Sequence, residues 1–346
     1  MIQEPNDAIV RITTTAICGS DLHLYEVLGM FMGEGDILGH EPMGIVEEVG
    51  PEVSHIQPGD RVVLPFTICC GHCWMCGQGL QSQCETTQVR EQGMGASLFG
   101  FSKLYGEVAG GQAEFLRVPQ AQYMPIKVPE EAAGMPDERF VYLSDVLPTS
   151  WQAVEYAGIP EGGSVVVFGL GPIGQMSSRI ALHKGHRVIA VDFVPERLEM
   201  AWRFGIEVVD ASAVEDVPEA IREMTDGRGP VAQNVMNEAG VDRLNVLYQA
   251  IQTVRRGGTL SLIGLYGGQA DPIPMLTLFD KQIQLRMGQA NVKRWVDDIM
   301  PLLVDASDPL GVESFATHKM PLEEAPHGYE IFQKKQDGAI KILLQP

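Results

Sequence analysis

The sequence predicts an α/β protein with a β-rich N-terminal domain and a doubly wound parallel-sheet domain. Three observations carry this. The N-terminal third holds short β-branched runs punctuated by Gly and Pro, the pattern of a partly closed barrel or sandwich. From about Pro148 onward, continuous apolar runs alternate with helical patterns, as in a parallel sheet covered by helices on both faces. The chain's 346 residues exceed what one hydrophobic core usually organises, so two domains are expected.

Taken in order, Ala8-Ile9-Val10-Arg11-Ile12-Thr13 and Gly44-Ile45-Val46-Glu47-Glu48-Val49 read as strands, and the turn Pro58-Gly59-Asp60 leads into a third, Arg61 to Leu64. A long glycine-rich loop, Glu85 to Gly111, carries Phe99, Phe101 and Tyr105; loops of this length inside a domain are commonly functional. Gly111 to Val118 returns to a strand pattern. A short helix is expected at Gln152 to Ala157, then the buried strand Ser164 to Phe168, a helix over Gln175 to Lys184 and a second strand, Arg187 to Val191. The alternation continues with helix Glu196 to Phe204, a strand near Val208-Val209, helix Val217 to Met224, strand Val231 to Val235 and helix Arg243 to Val254. Strands Thr259 to Ile263 and Ile283 to Met287 follow, then two helical patterns and a terminal strand, Ala339 to Leu344.

Composition narrows the function. A formal net charge of −20 argues against nucleic-acid binding and against docking on anionic lipid, both of which rely on basic surface. No apolar run is long enough to span a bilayer. The polar, acidic start, Met1 to Asp7, is unlike a signal peptide, so a cytoplasmic location is expected. Five of the six cysteines fall between Cys69 and Cys84, and without a secretory signal such a cluster reads as metal binding. Cys70, Cys73, Cys76 and Cys84 are spaced C-x2-C-x2-C-x7-C. Four thiolates in one excursion can close a tetrahedral shell around zinc, which holds a loop in shape and leaves no open position for chemistry. Cys69 falls outside the spacing and is left as a free thiol.

A second set of donors lies between Cys18 and Glu41. Cys18 and His40 supply two of the three protein ligands that a catalytic zinc needs; the third must come from elsewhere. Ser20 and His23 add a hydroxyl and an imidazole able to move a proton. Gly169-Leu170-Gly171-Pro172-Ile173-Gly174 sits between a strand and a helix, with Asp192 at the end of the next strand. That context makes G-x-G-x-x-G a dinucleotide-binding signal: glycines allow a tight turn and close backbone approach, and the helix N-terminus faces the pyrophosphate.

Across nearly its whole length the sequence resembles the zinc-containing medium-chain dehydrogenases. Gly39-His40-Glu41-Pro42-Met43-Gly44 through Gly50 and Val53 is similar to that family's zinc signature, the four cysteines to its structural lobe, and Gly169 to Gly174 to its NAD loop. Cys18-Gly19-Ser20-Asp21-Leu22-His23-Leu24-Tyr25, Leu98 to Gln112 and Leu143-Ser144-Asp145-Val146-Leu147-Pro148-Thr149 resemble the formaldehyde-dehydrogenase-like branch. The resemblance implies a GroES-like catalytic domain over residues 1–147, a Rossmann domain over 148–288, and a return to the catalytic domain over 289–346. It implies Asp145 as third zinc ligand, Asp21 orienting His40, Glu41 near the metal, a Ser20–His23 proton relay and Phe66 in the substrate pocket. Thr149 and Ile173 would contact the nicotinamide, Asp192 and Arg197 the adenosine ribose, and Lys341 the pyrophosphate.

The implied activity is hydride transfer between an alcohol or aldehyde, formaldehyde or its thiol adduct included, and NAD. Two zinc ions per chain and a homodimer or homotetramer go with it. Polyol or threonine oxidation on the same fold remains open, as does a zinc-stabilised protein that only senses dinucleotide. Three departures stand out. Ala8-Ile9-Val10 matches a strand that in the family follows an N-terminal hairpin, so an exposed sheet edge is expected there. Gln233 and Asn234 interrupt an apolar strand and need partners if buried. Gly19 stands where some members carry a basic pyrophosphate contact.

Overall fold

Strand β1 (Ala8–Ile17) is an interior strand of the first of two units. The structure is a computed structural model and describes residues 1–26, 28–235, 244–264 and 272–346. Unit 1 comprises Met1–Pro148 with Ala290–Pro346, and unit 2 is Thr149–Gln289, each border one residue beyond the expected one. In the first half of β1, Ala8, Val10 and Ile12 are buried while Ile9 and Arg11 are not, the period of a strand with one face on a core. Antiparallel to it run β2 (Met43–Val49) and, on the other flank, β4 (Phe115–Val118). β3 (Arg61–Val63) pairs with β2, and β5 (Ile126–Lys127) with β3. The expected open edge at β1 is therefore absent: both flanks are hydrogen-bonded.

In unit 2, β6 (Ser164–Phe168), β7 (Arg187–Asp192), β8 (Glu207–Asp210), β9 (Ala232–Val235), β10 (Thr259–Leu262) and β11 (Gln284–Met287) form one parallel sheet in the order β11-β10-β9-β6-β7-β8. The order reverses between β6 and β9, the switch point at which open α/β sheets bind ligands. Val166, Phe168, Ile189, Val191 and Leu260 form its core together with Leu247 and Ile251 of helix Asn245–Thr253. That helix begins inside the expected one, whose first residue, Arg243, lies outside the described residues. Gln233 is fully buried and finds its partners: with donor facing acceptor, its amide donates to Ala250 O at 2.8 Å and accepts from Val254 N at 3.1 Å. It thus caps the last turn of the helix; the Asn234 side chain lies outside the described residues.

The chain then returns to unit 1, where β12 (His318–Pro321) pairs with β13 (Ile342–Gln345), and β13 with Thr15–Ile17 of β1. This late partner lengthens β1 beyond the expected Thr13 and buries Thr14 to Ile17 on both faces. Among the described residues no helix is long and apolar enough to cross a membrane.

Candidate active site

The four-cysteine lobe is built almost wholly from residues 70–86. Cys70, Cys73, Cys76 and Cys84 bring their sulfurs within 4.8 Å of one another, with Cys73 Sγ and Cys84 Sγ 3.9 Å apart. A tetrahedron with Zn–S bonds of ~2.3 Å has edges of about 3.8 Å, so the set is of a size that suits one zinc ion. Backbone N–H groups point at the sulfurs: Cys73 N at Cys70 (3.3 Å), Cys70 N at Cys84 (3.4 Å), Glu85 N at Cys73 (3.4 Å), and Thr86 Oγ1 adds a bond to Cys70 at 3.1 Å. Such donors favour thiolates. Burial pushes the Cys70 thiol up to about 11; at Cys73 the N–H groups of Cys76 and Glu85 outweigh burial and lower the pKa. Cys69 is a buried free thiol.

The second cluster joins three distant parts of unit 1. Cys18 follows β1, His40 precedes β2, and Asp145 stands directly before helix Val146–Ala157. Cys18 Sγ lies 3.7 Å from Asp145 Oδ2, and His40 Nε2 3.3 Å from the same oxygen. Bonds of ~2.0–2.3 Å imply tetrahedral edges of roughly 3.3–3.8 Å, so sulfur, nitrogen and oxygen donors stand at the separation one zinc ion requires. All three residues are buried. Asp21, 0% exposed, accepts from Cys18 N (2.9 Å) and faces His40 Nδ1 (3.1 Å), which places the imidazole proton on Nδ1 and turns the Nε2 lone pair into the cluster. Burial opposes the His40 imidazolium, yet Asp21, Cys18 and Asp145 prevail and raise its pKa well above the usual histidine value. A pocket with so much negative charge favours a cation, and proton and metal compete for Nε2.

Ser20 belongs to this cluster, its Oγ 3.3 Å from both Cys18 Sγ and His40 Nε2. His23 is three residues further along the same helix, Gly19–Glu26, a spacing that shares a face. Two aromatic rings cover His40: Phe66, edge-on at 6.3 Å, and Phe101 at 5.1 Å, itself backed by Tyr105 at 5.8 Å. Phe101 was visible in the sequence only as one aromatic of a glycine-rich loop.

Lys341 is placed differently from the expectation. It is 0% exposed, and its Nζ donates to both Glu41 oxygens at 2.7 Å and to Ile17 O at 3.1 Å. All three ammonium donors are spent inside unit 1, so none remains for a pyrophosphate. Burial works against the ammonium, but Glu41 outweighs it and raises the Lys341 pKa. Glu41 in turn keeps a carboxylate oxygen within 4.8 Å of the donor atoms of Cys18, His40 and Asp145. Breaking a buried pair strands one charge. Lys341→Met should therefore lower stability by about 3–5 kcal/mol in chemical denaturation, and adding Glu41→Gln should restore much of it. Unchanged stability of the single variant would show that the pair does not form.

In unit 2 the glycine loop leaves β6 and enters helix Pro172–His183. Gly169 has φ +88°, and a Cβ on Gly174 would lie 1.8 Å from Gly169 O, so neither position accepts a side chain. Gly171 is the N-cap and Pro172 opens the helix, leaving its first N–H groups without side-chain caps. Ile173 O accepts from Ser150 Oγ at 3.1 Å; Thr149 is the first residue of the unit. Asp192 accepts from Leu170 N (2.6 Å), Phe193 N (2.7 Å) and Val194 N (2.9 Å), with Arg197 Nη1 at 3.8 Å. Arg197 is itself buried, which lowers its pKa.

The profile of the alcohol dehydrogenase GroES-like domain matches residues 4–130, and that of the zinc-binding dehydrogenase matches residues 172–303. AdhB of Bacillus subtilis (strain 168), described as an uncharacterized zinc-type alcohol dehydrogenase-like protein, is 38% identical over 100% of this chain and 94% of its own. Formaldehyde dismutase of Pseudomonas putida is 30% identical over 98% of this chain and 89% of its own. The solved structure of alcohol dehydrogenase TADH from Thermus sp. ATN1 matches with a TM-score of 0.88 at 35% identity, covering 100% of this chain and 94% of that one. With both domain profiles matched in order and relatives similar from end to end, the chain belongs to the zinc-type medium-chain alcohol dehydrogenase family, oxidoreductases that join a GroES-like to a Rossmann domain.

Proposed function

We infer that this chain interconverts a small alcohol and its aldehyde, with NAD as partner in hydride transfer and two zinc ions per chain. The observation that carries the reading is the set of three unlike donors, Cys18, His40 and Asp145, with the Ser20 hydroxyl 3.3 Å from two of them. When bound, zinc would supply Lewis acidity toward the substrate oxygen and NAD a hydride acceptor. The remaining roles fall to side chains. Asp21 fixes the His40 tautomer, Ser20 takes the alcohol proton, and His23 hands it to water. Phe66 and Phe101 keep water from His40 and line the substrate side. Thr149 and Ile173 flank the nicotinamide, Gly169 to Gly174 admit the pyrophosphate, and Asp192 with Arg197 meets the adenosine ribose.

Formaldehyde is the second reading, favoured by the identity to formaldehyde dismutase. NADH absorbance followed over alcohols, polyols, threonine and formaldehyde, with and without glutathione, separates these. A chain that binds NAD and holds both metals but turns over none of them would instead be a dinucleotide sensor.

Cofactor choice follows from Asp192. Three backbone N–H groups hold its carboxylate in place, where it accepts a ribose hydroxyl and repels a 2′-phosphate. The kcat/KM for NAD should exceed that for NADP by at least about tenfold, or ~1.4 kcal/mol, and Asp192→Ala should narrow the gap. Equal efficiencies in the unaltered chain would place Asp192 away from the ribose.

Assembly as a homodimer is supported by β11. Among the described residues it pairs only with β10, all four of its residues are exposed, and nearby Leu276 and Phe279 are 80% and 83% exposed. An open apolar edge is a liability that a two-fold copy of the same strand removes. Light scattering should give at least a dimer mass, falling toward monomer in Phe279→Glu/Leu285→Lys. A monomeric unaltered chain would end this proposal.

A further inference from the structure

Cys18 and His40 come from different segments, and Lys341 Nζ joins their neighbours, Ile17 and Glu41. Asp21 ties their immediate groups together, and the backbone runs that deliver them meet again farther back, at Gln112. Its backbone N donates to Leu38 O at 3.0 Å, and Gly111 N donates to Gly39 O at 2.7 Å, so residues 111–112 are stitched to the run ending at His40. Its side-chain Nε2 donates to Ala16 O at 3.4 Å, and its Oε1 accepts from Tyr329 Oη at 2.9 Å. Leu38 lies two residues before His40 and Ala16 two residues before Cys18. One residue therefore holds both approaches at the same remove from the ligands.

The arrangement is specific to these groups. Ala16 O can only accept, so Nε2 must face it; that turns Oε1 outward, where Tyr329 on helix Ala325–Lys334 donates to it. Gly39 has φ +98°, and a Cβ there would lie 2.5 Å from Gln112 Cγ. The amide stem thus runs across a bare Cα, and a side chain at position 39 would push it away.

We propose that Gln112, locked by Tyr329, is a positioning residue that sets the Cys18–His40 separation and hence the grip on the metal. The proposal rests on reading Cys18, His40 and Asp145 as metal ligands; the four-cysteine lobe does not depend on it. Groups that orient metal ligands from behind typically account for about 10–100-fold in metal affinity. The test is cobalt(II) loaded at the Cys18 site, with visible absorption reporting ligand geometry and competition with a chelator reporting affinity. Gln112→Ala should weaken this site about tenfold and shift its bands, while the four-cysteine lobe keeps its ion. Tyr329→Phe, which removes one hydroxyl and should fold normally, should act in the same direction but less, and should add nothing to Gln112→Ala. Unchanged spectra and affinity in both variants, equal losses at the two metal sites, or additive effects would overturn the proposal. Uptake of only one ion by the unaltered chain would instead overturn the ligand reading itself, before any variant is compared.

Discussion

Cys18→Ala should reduce alcohol oxidation by at least ~10³-fold, leave one zinc per chain and change thermal stability little, whereas Cys84→Ser should lower stability first. The two clusters differ in what they are built to do. At the first, Cys18, His40 and Asp145 present three donors, while the fourth group there, Glu41, has both oxygens taken by Lys341, which leaves a position open for substrate oxygen. Lewis-acid stabilisation is worth several kcal/mol, and at about 1.4 kcal/mol per decade its loss gives the stated factor. Removing Cys18 leaves a small buried space beside residues already held by Asp21, so the fold survives. At the second, four cysteines close the shell, and Cys84 is 0% exposed within the core cluster that contains Val62, Leu64 and Ile68. Binding energy at such a site is folding energy, and loss of the metal belongs to the changes that cost about 4 kcal/mol or more. Metal analysis of the unaltered chain yielding one zinc or none would sink the scheme, as would a Cys18→Ala chain that keeps both ions and its turnover.

The parts of the molecule legible in the sequence are those whose cause is local. Ser164–Phe168 and Val217–Met224 occupy the residues their patterns mark, because a doubly buried strand and an amphipathic helix each write their period into neighbouring positions. The four-cysteine lobe is legible for the same reason: its ligands fall within one excursion. Helix Val146–Ala157 begins six residues before the expected Gln152; Pro148 sits in its first turn, where the missing N–H costs nothing. Long-range pairs left no such trace. Glu41 and Lys341 are 300 residues apart; the family resemblance alone implied a pyrophosphate contact for Lys341, and nothing near it in sequence marks its buried carboxylate partner. Gln112 and Tyr329, 217 apart, read as an ordinary loop residue and a helix-face aromatic. Asp145 came only through family resemblance, because one carboxylate among 45 acidic residues carries no signal of its own.

Ser20→Ala should cost more turnover than His23→Gln, and the second loss should shrink when buffer bases are added or pH is raised. The Ser20 hydroxyl stands 3.3 Å from Cys18 Sγ and from His40 Nε2, so an oxygen held at the same centre lies within its reach. A proton released in a buried cluster needs a carrier, and Ser20 is the hydroxyl at the ligands. General acid–base groups contribute about 10²- to 10⁴-fold, and the inner member of a relay should show most of it. His23 shares the helix one turn on, and imidazole, with an ordinary pKa of about 6.5, exchanges protons with water near neutrality. Solvent or buffer can replace an outer imidazole more readily than a hydroxyl that stands at the ligands themselves. Under conditions where hydride transfer limits the rate, shown by a deuterium effect on the alcohol, Ser20→Ala should therefore fall by ~10² or more at pH 7. Near-normal oxidation by that variant would remove Ser20 from the proton path, and a His23→Gln loss that buffer bases leave untouched would remove His23.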